Sequence, residues 1–271
     1  MAASETVYFS GQGKIYLSER DSSGNPKAFR FIGNVPALRL ALETDVVEHT
    51  EARSGSRLTD FRLSRQNRAR VTMTLENFNR DNLSFLMNGN IAAGGAAATV
   101  SGQSIVISSN TAPIPAGSIF FLPYKDITSV TIKDSKPSTP NSLTPGTHYT
   151  LDSASGKITT LVDLTSSLFS SSFAAPLVLT DYTIAENKIV TAFTSGVKEQ
   201  TLYFEGINTA NANKAVRLEI FRVIFDPVQN FDLINDELAQ FEIEGTALYD
   251  AAKATDSNYG GFARVIGDSV L

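Results

Sequence analysis

Histidine, the side chain that most often transfers protons in enzymes, occurs twice in this chain, at His49 and His148. The two lie far apart in the sequence. His148 belongs to a Thr-His-Tyr-Thr run typical of the start of a strand, where a turn histidine is the simpler interpretation. His49 is close to Glu48 and Glu51, and such groups can hold a metal, but in a polar segment they are usually solvated. We therefore predict neither a histidine-based catalytic site nor a metal site.

Carboxylates are the other possible source of acid–base chemistry. Glu242 and Glu244 are two residues apart, which places them on one face of a strand, but such pairs are common on solvated sheets. The sequence contains no P-loop, no glycine-rich dinucleotide fingerprint and no Gly-x-Ser-x-Gly motif. Cysteine is absent, which excludes thiolate catalysis, disulfides and cysteine-ligated metals. The sequence therefore predicts a protein that is not an enzyme and has no cofactor.

The composition is that of a core-forming β protein with a sparsely charged surface. Hydrophobic residues make up 42% of the 271 residues, and charged residues 19%, which is low for an enzyme. The net charge of -5 means that the chain as a whole is not a polycation that binds nucleic acid. The first ten residues do not read as a signal peptide, and no apolar run is long enough for a membrane span.

Positive charge is concentrated in a polar segment, residues 46–67, and just after it. Few acids follow Glu51, and Phe61 is the one aromatic residue, so a base-stacking surface is disfavoured. We favour a basic hairpin arm that docks on the acidic surface of a neighbouring subunit over a solvated hairpin tip, and both over a nucleic-acid patch. The predicted contact residues of the arm are Arg53, Arg57, Arg62 and Arg65.

Two strands with a clear alternation of apolar and polar residues flank this segment. Such a period of two requires one buried face and one wet face. The apolar positions are Leu38, Leu40 and Leu42 in the first strand and Ala69, Val71, Met73 and Leu75 in the second. The polar positions on the opposite faces include Arg39, Glu43, Asp45, Arg68 and Arg70.

The remaining elements are mostly short strands. A helix is predicted within residues 77–89, with Asn79 or Asn77 as its N-cap, and a helical turn within residues 246–254. The predicted strands outside the middle of the chain cover residues 13–18, 28–32, 201–205, 215–225 and 238–244. The last residues, 255–271, have no clear pattern and are predicted to be loosely held.

The Gly-Gly-Ala-Ala-Ala run at residues 94–98 marks a change in composition, after which charge falls and Ser, Thr and Pro rise. Several short strands separated by turn residues then suggest a small β-sandwich. The chain is therefore predicted to be mainly β, with an inserted outer β domain at residues 96–185 that splits a core domain into residues 1–95 and 186–271.

Several phrases resemble the tail-tube (major tail) protein family of long-tailed bacteriophages. The phrases are residues 31–38 followed by Glu43-Thr44-Asp45, residues 71–78 followed by the helix at Asn82-Leu83, and residues 222–227, 231–234 and 241–248. The similarity covers about two thirds of the chain and depends on the order of the elements more than on any one motif. The middle domain has no counterpart in a minimal tube subunit.

The resemblance implies a small β-barrel or sandwich flanked by a helix, six copies of which form a ring. Inner strands of all subunits join into one large barrel around a lumen, and rings stack around a tape-measure protein between terminator proteins and the tail tip or baseplate. Double-stranded DNA passes through the lumen without specific binding during genome ejection. The protein would then be part of the virion tail, and would lie in the host cytoplasm during assembly.

A lumen for DNA should bind phosphates weakly, which favours acids on the inner wall. The residues predicted to face the lumen are Glu43, Asp45, Arg68, Arg70, Glu242 and Glu244. Either the arginines of this set pair with its acids to give a near-neutral wall, or these residues do not share one face. Two other classes of function remain open: a virion decoration or adhesin-type β-sandwich that binds a partner, and a glycan hydrolase that uses a carboxylate pair.

Overall fold

The computed structural model describes residues 8–92, 96–109, 111–169 and 172–267. The protein is mainly β, with 46% strand and 4% helix. Its elements in chain order are β1 (Gly11–Glu19), β2 (Arg30–Phe31), β3 (Ala37–Thr50), β4 (Thr59–Leu75), α1 (Arg80–Leu86), β5 (Ile91–Ala92), β6 (Ala98–Val100), β7 (Ile105–Val106), β8 (Ile119–Phe121), β9 (Ile127–Asp134), β10 (Tyr149–Asp152), β11 (Lys157–Thr160), β12 (Leu177–Ile184), β13 (Ile189–Val190), β14 (Glu199–Asn208), β15 (Lys214–Phe225), β16 (Phe241–Ala247), α2 (Ala251–Ala254) and β17 (Ala263–Gly267).

The chain divides into two units. One unit contains the residues up to Asn90 and those from Val190 onwards, and the other contains Ile91–Ile189. The inserted domain predicted from the sequence, residues 96–185, thus begins and ends a few residues inside the second unit. β5 and β13 form a separate two-stranded sheet.

The first unit is built on one open sheet of eight strands. The order is β2-β1-β14-β15-β16-β4-β3, and β17 pairs with the part of β15 that β16 leaves free. All the pairings in this sheet are antiparallel, and no sheet in the described part of the chain closes on itself. Of the two expected architectures, a barrel is therefore not formed within a single chain.

The alternating pattern of β4 produces the core of this sheet. Ala69, Val71, Met73 and Leu75 are all buried, as the sequence predicts, because β4 is covered on that face and flanked by β3 and β16. Leu42 lies on the same face of β3, opposite the buried Ala69, but is 76% exposed, because β3 is the edge strand of the sheet whereas β4 lies between β3 and β16. The same apolar pattern thus continues beyond the part of the sheet that is covered.

Helix α1 closes the core and is held by two asparagines. Asn79 is its N-cap, since its side chain accepts a hydrogen bond from the amide of Asn82, which confirms one of the two predicted caps. Asn82 is fully buried and donates through Nδ2 to the carbonyls of Ile32 and Asn77, each at 2.8 Å. Its Oδ1 accepts from Arg30. One side chain thus joins α1, the end of β2 and the loop after β4.

We expect Asn82→Ala to lower the free energy of unfolding by about 2–3 kcal/mol, because the buried carbonyl of Ile32 and the carbonyl of Asn77 lose their donor and Arg30 loses its acceptor. Urea unfolding followed by circular dichroism measures this loss. Asn79→Ala is the matched control, since it removes one capping bond at a more exposed position and should cost about 1 kcal/mol. If both variants lost the same free energy of unfolding, the buried hydrogen bonds of Asn82 would contribute no more to stability than one capping bond.

The second unit contains two small sheets that share one hydrophobic cluster. One has the order β10-β11-β8, and in the other β12 pairs with β6, β7 and β9. The largest fully buried side chain of the cluster is Tyr149, at the start of β10. His148, just before it, accepts a hydrogen bond through Nδ1 from the amide of Thr144 at 2.8 Å and contacts the ring of Phe169, which agrees with its interpretation as a turn histidine.

The end of the chain differs from the sequence-based prediction. Residues 255–271 lack a pattern, but within them β17 pairs along β15 from Val216↔Gly267 to Ile220↔Ala263. Arg264 donates to Glu219 at 2.6 Å and lies over the ring of Tyr259, 3.9 Å from its centroid. The prediction of a loosely held end is therefore wrong for Ala263–Gly267, because ladder and side-chain contacts replace the missing apolar pattern.

Candidate assembly surface

The long hairpin of β3 and β4 extends well beyond the core. Its register runs from Ala37↔Thr74 at the base to Thr50↔Thr59 near the turn, which corresponds to about 45 Å at about 3.3 Å per residue. No residue from Leu42 to Arg68 is buried. The distal half therefore presents both of its faces to solvent, whereas a half-buried strand presents one.

The same hairpin also has free strand edges. β3 is the last strand of the sheet, and β16 pairs with β4 only from Ala69 to Leu75. In the described part of the chain, the stretch of β4 before Ala69 thus has β3 as its single neighbour. Unpaired backbone groups on both sides of a two-stranded hairpin are a template for pairing with another chain.

Apolar side chains lie on one face of this distal half. Val47 faces Leu63 in the register and His49 faces Phe61, so the four side chains share a face. Val47, Leu63 and Phe61 are 43%, 52% and 58% exposed. An isolated hairpin with an apolar exposed face is marginal in water.

The four predicted contact arginines of this hairpin are all exposed. Arg53 and Arg57 lie in the turn, Arg62 lies 3.7 Å from Glu48, and Arg65 occupies a bulge between the Asp45 and Val46 pairings. The turn itself is ordered by Glu51. Its carboxylate accepts from the hydroxyl and amide of Ser54 and from the amide of Arg53, and these bonds, the hydroxyl first, hold its pKa below the ordinary value.

The six residues predicted to face a lumen all lie on one face of the sheet, the face opposite the core, and all are exposed. Glu43 is the register partner of Arg68 and also lies 3.7 Å from Arg70. Glu242 and Glu244 continue the same face on β16, opposite Thr74 and Thr72. The arginines and acids thus share a face, so that charge is partly paired along it. With Arg39, this face carries four acids and three arginines among the described residues of β3, β4 and β16.

An acidic depression of about 260 Å³ adjoins this face. Its lining includes Asp226, Asp232, Glu242 and Glu244. Nowhere in the described ranges do three or more His, Cys, Asp or Glu side chains come together as metal ligands would. His49 was considered with Glu48 and Glu51 as a possible metal group in the sequence. In the structure its Nδ1 lies 2.5 Å from a carboxylate oxygen of Asp60.

One exposed feature, the loop of residues 232–238, was not predicted from the sequence. Leu233, Ile234 and Leu238 are 79%, 97% and 88% exposed, and the loop has no regular structure. The signal was present as Leu233 and Ile234, set among acids without a strand or helix period, whereas Leu238 was assigned to a strand that begins only at Phe241 in the structure.

The two helices in the described part of the chain are short. Of the helices in the described ranges, α1 has seven residues and α2 four, so neither has the length or the apolar character that crossing a membrane requires.

Comparison with known proteins places the chain in a family without assigning it an activity. No curated protein matches the sequence. The family model described as "Protein of unknown function UCP028589" matches residues 8–266, which is nearly the whole chain. The chain therefore belongs to this family.

Proposed function

We propose that this protein is a structural subunit of a phage tail tube, which assembles into stacked, hexameric rings. The observation that carries the proposal is the β3–β4 hairpin, whose distal half has two exposed faces and free edges. A monomeric protein avoids such a surface, because exposed strand edges and apolar faces lead to uncontrolled association. In a subunit whose edges pair with neighbouring copies, the same features are a means of assembly.

The open sheet supports this proposal in a second way. Its terminal strands are β2 and β3, so one chain leaves a long edge along β3 unpaired within the described residues. Closing the barrel between subunits would pair that edge with the next copy and repeat around a ring, as a heterologous interface does. The barrel would then be formed by the subunits of the ring together and not by a single chain.

The charge of the exposed sheet face supports passage of DNA. Four acids and three arginines, with Glu43 close to both Arg68 and Arg70, leave a face that is weakly acidic rather than basic. Each phosphate contact adds salt-dependent attraction, so a wall of this kind would let a duplex slide instead of binding it. We propose that this face lines the lumen, with a tape-measure protein inside it before ejection and with terminator and tip or baseplate proteins at its ends.

Negative-stain microscopy of the purified protein tests the proposal. We expect rings or tubes that form without any other component, and we expect them to dissociate when the hairpin is shortened. Discrete particles that never polymerise at any concentration or ionic strength would contradict it. Such particles would favour the alternative, a decoration or adhesin-type binding module, which would then bind a partner through the second unit.

The second unit is proposed to be an outer decoration that tube assembly does not need. Among the described residues, its hydrophobic cluster shares no buried residue with that of the first unit. We therefore expect that replacing residues 96–185 by a short Gly/Ser linker leaves a core that folds and forms tubes of smaller outer diameter, as seen by microscopy. A folded core that stays unassembled would show that the second unit takes part in assembly.

A further inference from the structure

The exposed loop of residues 232–238 is held firmly at both ends. Before it, Phe231 stacks on Phe241 with a centroid distance of 5.3 Å and also contacts Phe78. After it, Gln240 donates to Glu76 at 2.9 Å. The fixed ends hold Leu233, Ile234 and Leu238 out in solvent, although burying each of them would be favourable.

The loop is acidic as well as apolar. Asp232, Asp236 and Glu237 are exposed, and none forms an ion pair with a cationic side chain of the described residues. A surface that matches the loop should therefore combine an apolar patch with free positive charge.

The distal β3–β4 hairpin has this combination. Its apolar face consists of Val47, Phe61 and Leu63, and exposed arginines lie in the adjoining turn, at Arg53 and Arg57, and in the bulge at Arg65. Within the described chain, Arg53, Arg57 and Arg65 have no carboxylate within ion-pair distance. The two surfaces thus match in both apolar character and charge.

The two surfaces of one copy are too far apart to meet. Asp232 lies with Glu242 and Glu244 at the acidic depression, and these glutamates are at the level of Thr74 and Thr72 of β4. Phe61 is eleven residues from Thr72, which is about 35 Å along a strand. A seven-residue loop fixed at both ends projects by at most half its length, about 12–14 Å.

We propose that the loop of residues 232–238 of one copy binds the distal hairpin of the next copy, with its leucines and isoleucine on the Val47–Phe61–Leu63 face and its acids near Arg53, Arg57 and Arg65. The interface is heterologous, because each copy uses one surface to bind and the other to be bound, and such contacts repeat without limit. The inference rests on the proposed tube function and names the partner surface of its hairpin.

Two variants with surface changes alone test this contact. The loop variant carries Leu233→Ser, Ile234→Ser and Leu238→Ser. The hairpin variant carries Phe61→Ser and Leu63→Ser. Because all five residues are exposed, both variants should fold normally, and each should raise the concentration needed for tube formation at least about tenfold. The matched control replaces three exposed apolar residues of the second unit, Val106, Ile119 and Phe121, by Ser and should assemble normally.

Mixing the two variants distinguishes this contact from other roles. The loop variant keeps a normal hairpin and the hairpin variant keeps a normal loop, so one working contact can form between them. Each variant alone should remain as a single unit in light scattering. The mixture should form particles made of two such units, one from each variant, and nothing longer. Charge reversal gives a second measurement: Asp236→Lys with Glu237→Lys should weaken assembly, and Arg53→Glu with Arg57→Glu in the partner copy should restore it.

The results separate the inference from the proposed function. If the unmodified protein forms tubes and the loop variant forms them equally well, the loop contact is wrong and the tube function stands. Absence of pairs in the mixture, with the unmodified protein still assembling, would likewise contradict the loop contact alone. If the unmodified protein forms no tubes under any condition, both proposals fail.

Discussion

Replacing residues 46–65 by Asn-Gly should yield a folded protein that no longer assembles. The change joins Asp45 to Gln66, which face each other in the register, through a two-residue turn that suits a tight hairpin. No removed residue is buried, and none belongs to the hydrophobic cluster of the first unit. We therefore expect the free energy of unfolding to change by no more than about 1 kcal/mol.

Assembly, unlike stability, should be strongly affected by the same replacement. The deletion removes the exposed apolar face, the four predicted contact arginines and the free edge of β4 before Gln66. Sedimentation and negative-stain microscopy at matched concentrations should show a loss of tubes of at least about a hundredfold, because several contacts per subunit disappear together. The control is Glu51→Gln, which alters the turn that Glu51 orders and leaves the face and edges in place. Normal tubes from the shortened hairpin would remove the main argument for the proposed function.

Local pattern was sufficient to predict parts of the fold. The period-two pattern of β4 predicted which of its side chains are buried, and residue type and position limited the cap of α1 to Asn79 or Asn77, of which Asn79 is the cap in the structure. Glu43 and Arg70 were assigned to the same polar face by their parity alone, and they lie 3.7 Å apart. Predictions of this kind work because alternation and capping depend on neighbours in the sequence.

Features that depend on distant parts of the chain were not predictable in the same way. The strand order, in which β1 pairs with β14 across the inserted unit, has no local signal. Leu42 has the type and parity of a core residue, yet the core does not reach it. The pairing of β17 depends on the part of β15 that β16 leaves free, which can be known only once the sheet is assembled.

Buried charge gives the largest effect expected on stability. Arg20 and Asp250 form an ion pair at 2.7 Å, with side chains that are 9% and 7% exposed. Arg20 also donates to the carbonyl of Phe221, and Asp250 caps α2 by accepting from the amide of Ala252 at 3.1 Å. Asp250→Ala leaves the arginine buried without its partner, so we expect a loss of about 3–5 kcal/mol in the free energy of unfolding.

The same pair predicts how stability depends on pH. Burial alone would raise the pKa of Asp250, but the hydrogen bond and charge of Arg20 outweigh it and hold that pKa below its ordinary value of 3.8. A carboxyl whose pKa is lower in the folded state stabilises the fold at pH values above its unfolded pKa, and this contribution is lost as the pH falls through the folded pKa. Urea unfolding at a series of pH values should therefore show the difference between the unmodified protein and Asp250→Asn shrinking below about pH 4.

A more exposed ion pair provides the control for this prediction. Glu199 and Arg222 also form an ion pair, but each side chain is 36% exposed, so solvent screens the interaction. Glu199→Gln should cost no more than about 1 kcal/mol at neutral pH. If Asp250→Asn cost no more than this control, or if its effect persisted unchanged at low pH, the buried charge pair would not be the source of the stability.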